Sequence, residues 1–148
     1  MYYLISDKLA ADVTSLQWID YDWGQLNDER PPVNFPCALI DIAYTECRNL
    51  TEAVGALDQL VNVAVTIKLA FQHTGESHTA APLTNRQNAL QSLNVIGMVH
   101  TCLQGYNGGG TMAGLARRRG NSVPRRDKLK VYTIIYETRI INIPDGNP

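Results

Sequence analysis

Apolar and polar side chains alternate with a period of two through the middle of the chain, over residues 60–73. The odd-numbered positions from Val61 to Phe71 are all large and apolar, whereas the even-numbered positions from Asn62 to Gln72 are small or polar. Such alternation, rich in β-branched residues and free of Gly and Pro, is typical of a β-strand. The stretch predicts a central strand of about 40 Å. Its odd face should be buried, and its even face should be wet or shared with a neighbour.

A second alternating run, residues 37–45, follows a proline-rich approach that favours an extended backbone. One face of this run carries Ala38, Ile40, Ile42 and Tyr44. The two runs together predict a long hairpin, with residues 48–59 as the loop between its strands.

Two stretches show the spacing of an amphipathic helix. The first, residues 2–13, places Tyr2, Ile5, Leu9 and Val13 on one stripe. The second begins at Thr84, which forms a T-x-x-Q capping-box pattern with Gln87, and Gly105 is a natural residue to end it. Its predicted buried stripe consists of Leu90, Leu93, Ile96, Gly97, His100 and Leu103.

The remaining stretches predict shorter or looser elements. Residues 16–22 and 128–141 read as strands, and residues 112–118 are a candidate hairpin partner for the second of them. Residues 106–114 are rich in glycine and predict a loose segment, in which the bare GGG run is a hinge or a disordered tip. Residues 142–148 predict a frayed end.

These elements add up to an α+β fold. We predict an antiparallel sheet with a long central hairpin and helices packed on one face. Residues 1–148 form a single domain in this prediction, since 148 residues with 45% hydrophobic side chains suit one globular core.

Charge and cysteine content narrow the function classes. A formal net charge of -1 argues against a generally basic nucleic-acid binder. The three cysteines, at positions 37, 47 and 102, lack metal-type spacing and fit synthesis in a reducing cytoplasm. The start of the chain has no signal-peptide pattern and no apolar run reaches the length of a membrane span, so no membrane partner is expected.

Candidate catalytic groups are sparse. Asp20 and Asp22 would share a strand face, as the two groups of an acid–base pair do, but a solvated edge before a turn is favoured because nothing positions a third group. His73 and His78 are spaced H-x4-H in a polar segment with no neighbouring Cys or Asp, which disfavours a metal site. His100 fits a core histidine. We predict no catalytic site, no metal and no cofactor.

The cysteines do not change this prediction. Cys102 fits a small buried hydrophobe on the second helix. Cys37 would be reactive only beside a base that the sequence does not indicate.

Basic residues are concentrated near the end of the chain. Seven of the 13 basic residues lie within fourteen positions, broken by one acid, Asp127. They are Arg117, Arg118, Arg119, Arg125, Arg126, Lys128 and Lys130. Two interpretations stay open: contact with nucleic acid or an acidic protein surface, or a solvated hairpin arm.

The order of these pieces resembles a known family. The segments and residues that carry the resemblance are WID at 18–20, Gln25, PCALIDIAYTECRNL at 36–50, LDQ at 57–59, VNVAVTIKLAF at 61–71, VHTCLQGY at 99–106, L-x-R at 115–117, Asp127 and Tyr136. Over nearly the whole chain they resemble the small tail-completion, or tail-terminator, proteins of Bacteroidetes-type phages and prophages. The layout is also similar to the wider tail-terminator and head–tail joining family. Ala116 and the run of three arginines depart from the family pattern.

This resemblance implies a non-enzymatic structural protein of the virion tail or neck, assembled in the host bacterial cytoplasm. Such proteins form a ring, usually sixfold, that docks on the last ring of the tail tube, stops tube growth and presents a surface to the neck. The implied partners are further copies of the chain, the tail tube protein and a head-side neck or connector protein. DNA would pass through the lumen.

The resemblance also suggests which residues meet neighbours. We expect Thr66 and Lys68, on the wet face of the central strand, and the basic residues above to be contact residues. The acidic candidates for pairing with those arginines on an adjacent subunit are Asp20, Asp22, Asp28 and Glu29. The arm over residues 114–126 is predicted to be an assembly element outside the fold, because its side chains bury little apolar surface.

Two alternative functions come from other classes. One is a small nucleic-acid-binding module that uses the basic arm over residues 117–130; salt-sensitive binding would favour it. The other is an enzyme using Asp20, Asp22 or a histidine, which a pocket converging on those groups would favour.

Overall fold

The alternating stretch forms the middle strand of a five-stranded sheet. The computed structural model describes residues 1–50, 59–72, 77–123, 125 and 127–141. Its helices are α1 (Tyr2–Asp12) and α2 (Leu83–Leu103), and its strands are β1 (Trp18–Tyr21), β2 (Cys37–Asn49), β3 (Gln59–Gln72), β4 (Ala116–Val123) and β5 (Leu129–Ile141). Short 3-10 turns occur at Gln25–Asn27 and Gly108–Gly110.

The strand order is β1-β2-β3-β5-β4, so β1 and β4 are the two edges of the sheet. The β2–β3, β3–β5 and β4–β5 pairs are antiparallel, as predicted, and β1 runs parallel to β2. In the register, Ile67 lies between Ile40 of β2 and Ile134 of β5. The long hairpin is confirmed and extends further than predicted, since Arg48 pairs with Leu60. The predicted loop between its strands otherwise falls on residues 51–58, outside the described part.

The main core lies between the helices and one side of the sheet, which we call the helix face. All six odd-numbered residues of β3 from Val61 to Phe71 are buried there, which confirms the predicted face of the central strand. The helices contribute Ile5 and Leu9 from α1, and Val95, Val99 and Leu103 from α2. The predicted α+β class, with both helices on one face of the sheet, is therefore confirmed.

The opposite side of the sheet, which we call the far face, carries the even-numbered residues of β3. One end of it is closed by the chain that follows β1, and the small core there consists of Leu26, Cys37, Leu39, Ala70 and Val131. The other end is open, because Ala64 and Thr66 are half-buried and Ala43 is exposed. The far face is thus covered at one end only.

Helix α2 differs from its prediction at its start and in its orientation. It begins at Leu83 after Pro82, with no side-chain capping bond, so the capping box at Thr84 is wrong. Thr84 lies inside the first turn, and its hydroxyl is past the position that caps a helix. The predicted end is confirmed, since Gly105 follows the helix with a φ of +79°.

The predicted buried stripe of α2 is rotated relative to the observed one. Ser92, Val95, Val99 and Leu103 are buried, whereas Leu90 is 43% exposed and Leu93 is 53% exposed. The helix therefore has a second apolar flank that faces away from its own core. Periodicity alone does not distinguish which of two apolar flanks packs on the sheet.

The glycine-rich segment is ordered rather than loose. Gly108–Gly110 forms a 3-10 turn, in which the Thr111 hydroxyl donates to the Gly108 carbonyl at 2.6 Å. The segment is joined to the end of α2, because the Leu115 N–H donates to the Tyr106 carbonyl at 2.9 Å. The hinge or disordered tip predicted here is wrong.

The hairpin partner of β5 lies further along the chain than predicted. It is β4, Ala116–Val123, and not residues 112–118. Most of the arm predicted to lie outside the fold is this edge strand, bonded to β5 from Ala116 to Val123. The prediction was wrong because backbone hydrogen bonds to β5 hold the strand and need no apolar side chains.

Candidate assembly interface

The basic cluster occupies one edge of the sheet. Arg117, Arg118 and Arg119 are exposed on β4, and the register with β5 shifts between Arg117 and Arg119. This bulge divides the side chains between the two faces, since Arg117 pairs with Tyr136 of the helix face and Arg119 with Ile135 of the far face. Arginine side chains therefore lie on both faces of the sheet at its β4 edge.

Some of these charges have partners within the chain. Arg118 pairs with Glu137 at 2.7 Å, and the side chains are 61% and 51% exposed. Arg125 pairs with Asp127 and also donates to the Leu26 carbonyl at 2.6 Å. In the part of the chain that the structure describes, no ion pair involves Arg117 or Arg119. The charges of these two exposed guanidinium groups are thus not balanced by a carboxylate among the described residues.

Lys128 and Lys130, two further basic candidates, lie away from the edge. Lys130 donates to the Ser92 hydroxyl at 3.0 Å. Lys128 is exposed in the turn before β5, with a φ of +62°. Arg126 lies outside the described residues.

The opposite edge, formed by β1 and the start of α1, is acidic and aromatic. The Asp20 carboxylate accepts the Tyr21 N–H at 2.8 Å. Tyr3 is 72% exposed and Tyr21 is 46% exposed. The ring of Tyr2 contacts both, with centroids 5.5 Å from Tyr3 and 6.2 Å from Tyr21. Burial first and the Asp20 charge second raise the pKa of Tyr2. Trp18 and Trp23 complete what we call the aromatic edge: Tyr2, Tyr3, Trp18, Tyr21, Trp23 and Asp20.

Sequence reasoning missed this aromatic edge, although a signal was present. Both tryptophans and three of the seven tyrosines lie within the first 23 residues. Arginine and aromatic residues are enriched where proteins meet, so this clustering indicates a contact surface.

The remaining acidic candidates separate into two groups. Asp22 is 7% exposed, and its carboxylate contacts Lys68 at 2.5 Å and accepts the Gly24 N–H at 3.1 Å. Lys68 and Asp22, predicted as contacts to other molecules, thus meet each other within one chain. Asp28 and Glu29 are exposed beyond the 3-10 turn.

Thr66 lies on the open end of the far face. It is half-buried between Asp41 of β2 and Ile135 of β5. Along β3, Ala64 lies between Ala43 of β2 and Glu137 of β5. This part of the sheet therefore combines small side chains with larger polar and apolar ones.

The candidate catalytic groups are dispersed. A cavity of about 440 Å³ between α2 and the start of β5 is lined by Phe35, Phe71, Ser92 and Lys130, among others, and by none of Asp20, Asp22, His78 and His100. Among the described residues, no group of three or more His, Cys, Asp or Glu side chains could hold a metal ion. His73 lies outside the described part, so the H-x4-H pair is not described as a unit.

Burial shifts the pKa of three groups at or near the core, Cys37, His100 and Cys102. Burial raises the pKa of Cys37 and of Cys102 to about 11, so both thiols are protonated at neutral pH. His100 lies at the core margin, with Nδ1 3.3 Å from the Tyr136 hydroxyl. Burial first and the Arg117 charge second lower the pKa of His100.

Comparisons with known proteins add a structural likeness. No protein-family model matches the chain, and no curated protein matches it. Among solved structures, a chain of the "Virion of native gene transfer agent (GTA) particle" is similar to it. The two chains are 12% identical with a TM-score of 0.49, and the likeness covers 93% of this chain and 92% of that chain.

Neither described helix is long and apolar enough to cross a membrane.

Proposed function

We propose that the protein is a structural component of a phage-like virion. It forms a ring at the head-proximal end of the tail tube, terminates growth of the tube and joins the tail to the neck. The observation that carries this proposal is the chemical difference between the two sheet edges, one arginine-rich and one acidic and aromatic. A closed ring is built from heterologous contacts, and these require two different, complementary surfaces on each protomer.

The resemblance in the order of strands, helix and loops to tail-completion proteins supports the same proposal. In this account the helix face holds the protomer together, and the two edges serve contacts between copies. The open end of the far face, around Ala64 and Thr66, is left for the tube protein or the neck protein. Asp28 and Glu29 extend the acidic surface beside the aromatic edge.

Deletion of the gene in the phage-like particle that carries it tests the proposal. We expect tails of uncontrolled length, or complete tails without heads, when the particles are imaged by electron microscopy. Supplying the wild-type gene from a plasmid should restore uniform tails on full heads. Normal-length tails on full heads in the deletion strain would eliminate the proposed function.

A nucleic-acid-binding function is the second candidate, favoured by the exposed Arg117 and Arg119 on β4, which form no ion pair with any residue that the structure describes. Binding through phosphate contacts weakens steeply as salt rises. Tight, salt-sensitive binding of duplex or single-stranded DNA by the isolated protein, lost on changing both arginines to Ser, would support it over the ring.

A further inference from the structure

We propose that β4 of one copy adds antiparallel to β1 of the next copy, so that the sheets of neighbouring copies become continuous. This inference rests on the proposed function, since it specifies the contact that would close the ring. The occupant of each edge is thus a second copy of this chain.

The two edges carry charges of opposite sign. On β4, Arg117, Arg118 and Arg119 are exposed, and Arg118 is paired with Glu137. On β1, the acidic residue is Asp20, whereas the Asp22 carboxylate that follows is paired with Lys68. Opposite edges attract, whereas identical edges repel, which favours head-to-tail over two-fold contacts.

The directions of the edge strands suit the same contact. β1 is parallel to β2, and the steps from β2 to β3, from β3 to β5 and from β5 to β4 are each antiparallel. It follows that β4 runs antiparallel to β1. In a ring whose axis lies roughly along the strands, every copy keeps its strand directions. A β4 edge therefore meets a β1 edge in the antiparallel sense, which permits a regular hydrogen-bond ladder.

The side chains of the two edges also lie on matching faces of the sheet. Arg117 lies on the helix face, and so does Tyr21, which pairs with Ile40. Arg119 lies on the far face, and so does Asp20, which pairs with Leu39. In a continuous sheet each face of one copy adjoins the same face of the next. Arg119 then approaches Asp20, and Arg117 approaches the tyrosine rings, where a guanidinium binds by cation–π contact.

The edges are available for this pairing, but only over a short length. None of the described backbone hydrogen bonds outside the ladders involves Arg118–Val123 of β4. Two N–H groups are occupied by side chains: the Arg117 N–H donates to Gln104, and the Tyr21 N–H donates to Asp20. Since β1 has only four residues, the backbone alone supplies few bonds. The side-chain pairs must therefore provide much of the specificity.

Charge exchange across the contact tests this inference. We compare Arg119→Glu, Asp20→Arg and the double variant with the wild type by sedimentation velocity, from dilute to millimolar protein. Each single variant places like charges together and should weaken self-association about tenfold or more. The double variant, with the charges exchanged, should recover most of that loss. Asp20→Asn retains an acceptor for the Tyr21 N–H and should weaken association less than Asp20→Arg.

The matched control is Arg139→Glu, a charge reversal on exposed Arg139 of the internal strand β5. It should leave association unchanged. Thermal unfolding of every variant shows whether the protomer still folds. A wild-type protein that stays monomeric at millimolar concentration, single variants that associate normally, or a double variant without recovery would each overturn the inference.

A different role for the arginines gives the opposite result. Charged residues and bulges on edge strands also protect a sheet from unwanted pairing. If that is their role here, changing Arg117, Arg118 and Arg119 to Ser will increase association. If they form the proposed contact, the same triple variant will lose association while its melting temperature stays almost unchanged.

The proposed function and this inference can fail separately. Self-association that is normal in the edge variants would remove the β4–β1 contact and leave the ring proposal in place. Edge variants that no longer associate, yet still give normal-length tails on full heads, would support the contact and contradict tail termination.

Discussion

The same strands form both faces of the sheet, but the rest of the chain covers the two faces to different extents. On the helix face, every odd-numbered residue of β3 from Val61 to Phe71 is buried in one core with α1, α2 and the segment that holds Met112 and Leu115. On the far face, the chain after β1 covers one end, and the other end is left to small and polar side chains around Thr66. The fold of the protomer thus buries the helix face and the closed end of the far face. The open end of the far face, together with the two charged edges, is the surface that assembly can use.

The strongest test of this comparison places the same charge on each face. Val65→Asp buries an unpaired carboxylate in the main core, because Val65 is 0% exposed. We expect it to destabilise the protomer by about 4 kcal/mol or more, enough to leave it largely insoluble. Thr66→Asp, one residue along, should fold, with a cost of at most about 1 kcal/mol from the facing Asp41. Soluble yield and urea unfolding measure both. Equal behaviour of the two variants would contradict the assignment of the faces.

A smaller effect separates the two ends of the far face. Leu39 is fully buried in the small core at the closed end. We expect Leu39→Ala to lower the free energy of unfolding by about 2–4 kcal/mol. At the open end, Ile135 is half-buried, and Ile135→Ala should cost only about 1 kcal/mol. The midpoints of urea unfolding of the two variants measure these losses of stability. If Ile135→Ala loses as much stability as Leu39→Ala, the far face is closed along its whole length.

The smallest predicted effect is the pH dependence of protein stability that comes from His100. This residue lies at the margin between the helix face and the β4 edge. The pKa of His100 is lowered in the folded protein, so the unfolded chain binds the proton more readily. Stability from this group is therefore fully present above about pH 6.5 and is lost as the pH falls through the folded pKa. His100→Gln should flatten the melting temperature between neutral and mildly acidic pH.

Arg117→Gln serves as the graded control for this effect. Burial is the larger cause of the lowered pKa of His100, and the Arg117 charge is the smaller one. Removing that charge should reduce the pH dependence without abolishing it. An unchanged profile in His100→Gln would mean that other groups determine the acid sensitivity.

The elements that sequence reasoning predicted well are those in which side chains determine the structure. The period-two pattern of β3 and the stripe of α1 each state which face is buried, because burial of apolar groups is what forms them. The β4 strand was missed for the converse reason. Its sequence, ARRRGNSV, has no apolar alternation, and the strand exists through backbone bonds to β5.

The candidate interface was only partly predictable. The arginines were identified as a cluster, but their division between two faces depends on a bulge that composition does not reveal. The pairing of Asp22 with Lys68 depends on the chain after β1 returning over the sheet, and no local pattern encodes that contact. The aromatic edge combines α1 and β1, so its residues become one surface only when the helix packs beside the strand.

The most direct test of the ring is the location of the protein in the assembled particle. A cryo-electron microscopy reconstruction of the junction between head and tail should show a closed ring of this chain on the last ring of the tail tube. Within it, β4 of each copy should lie beside β1 of its neighbour. Finding the protein elsewhere in the particle, or absent from it, would contradict the account.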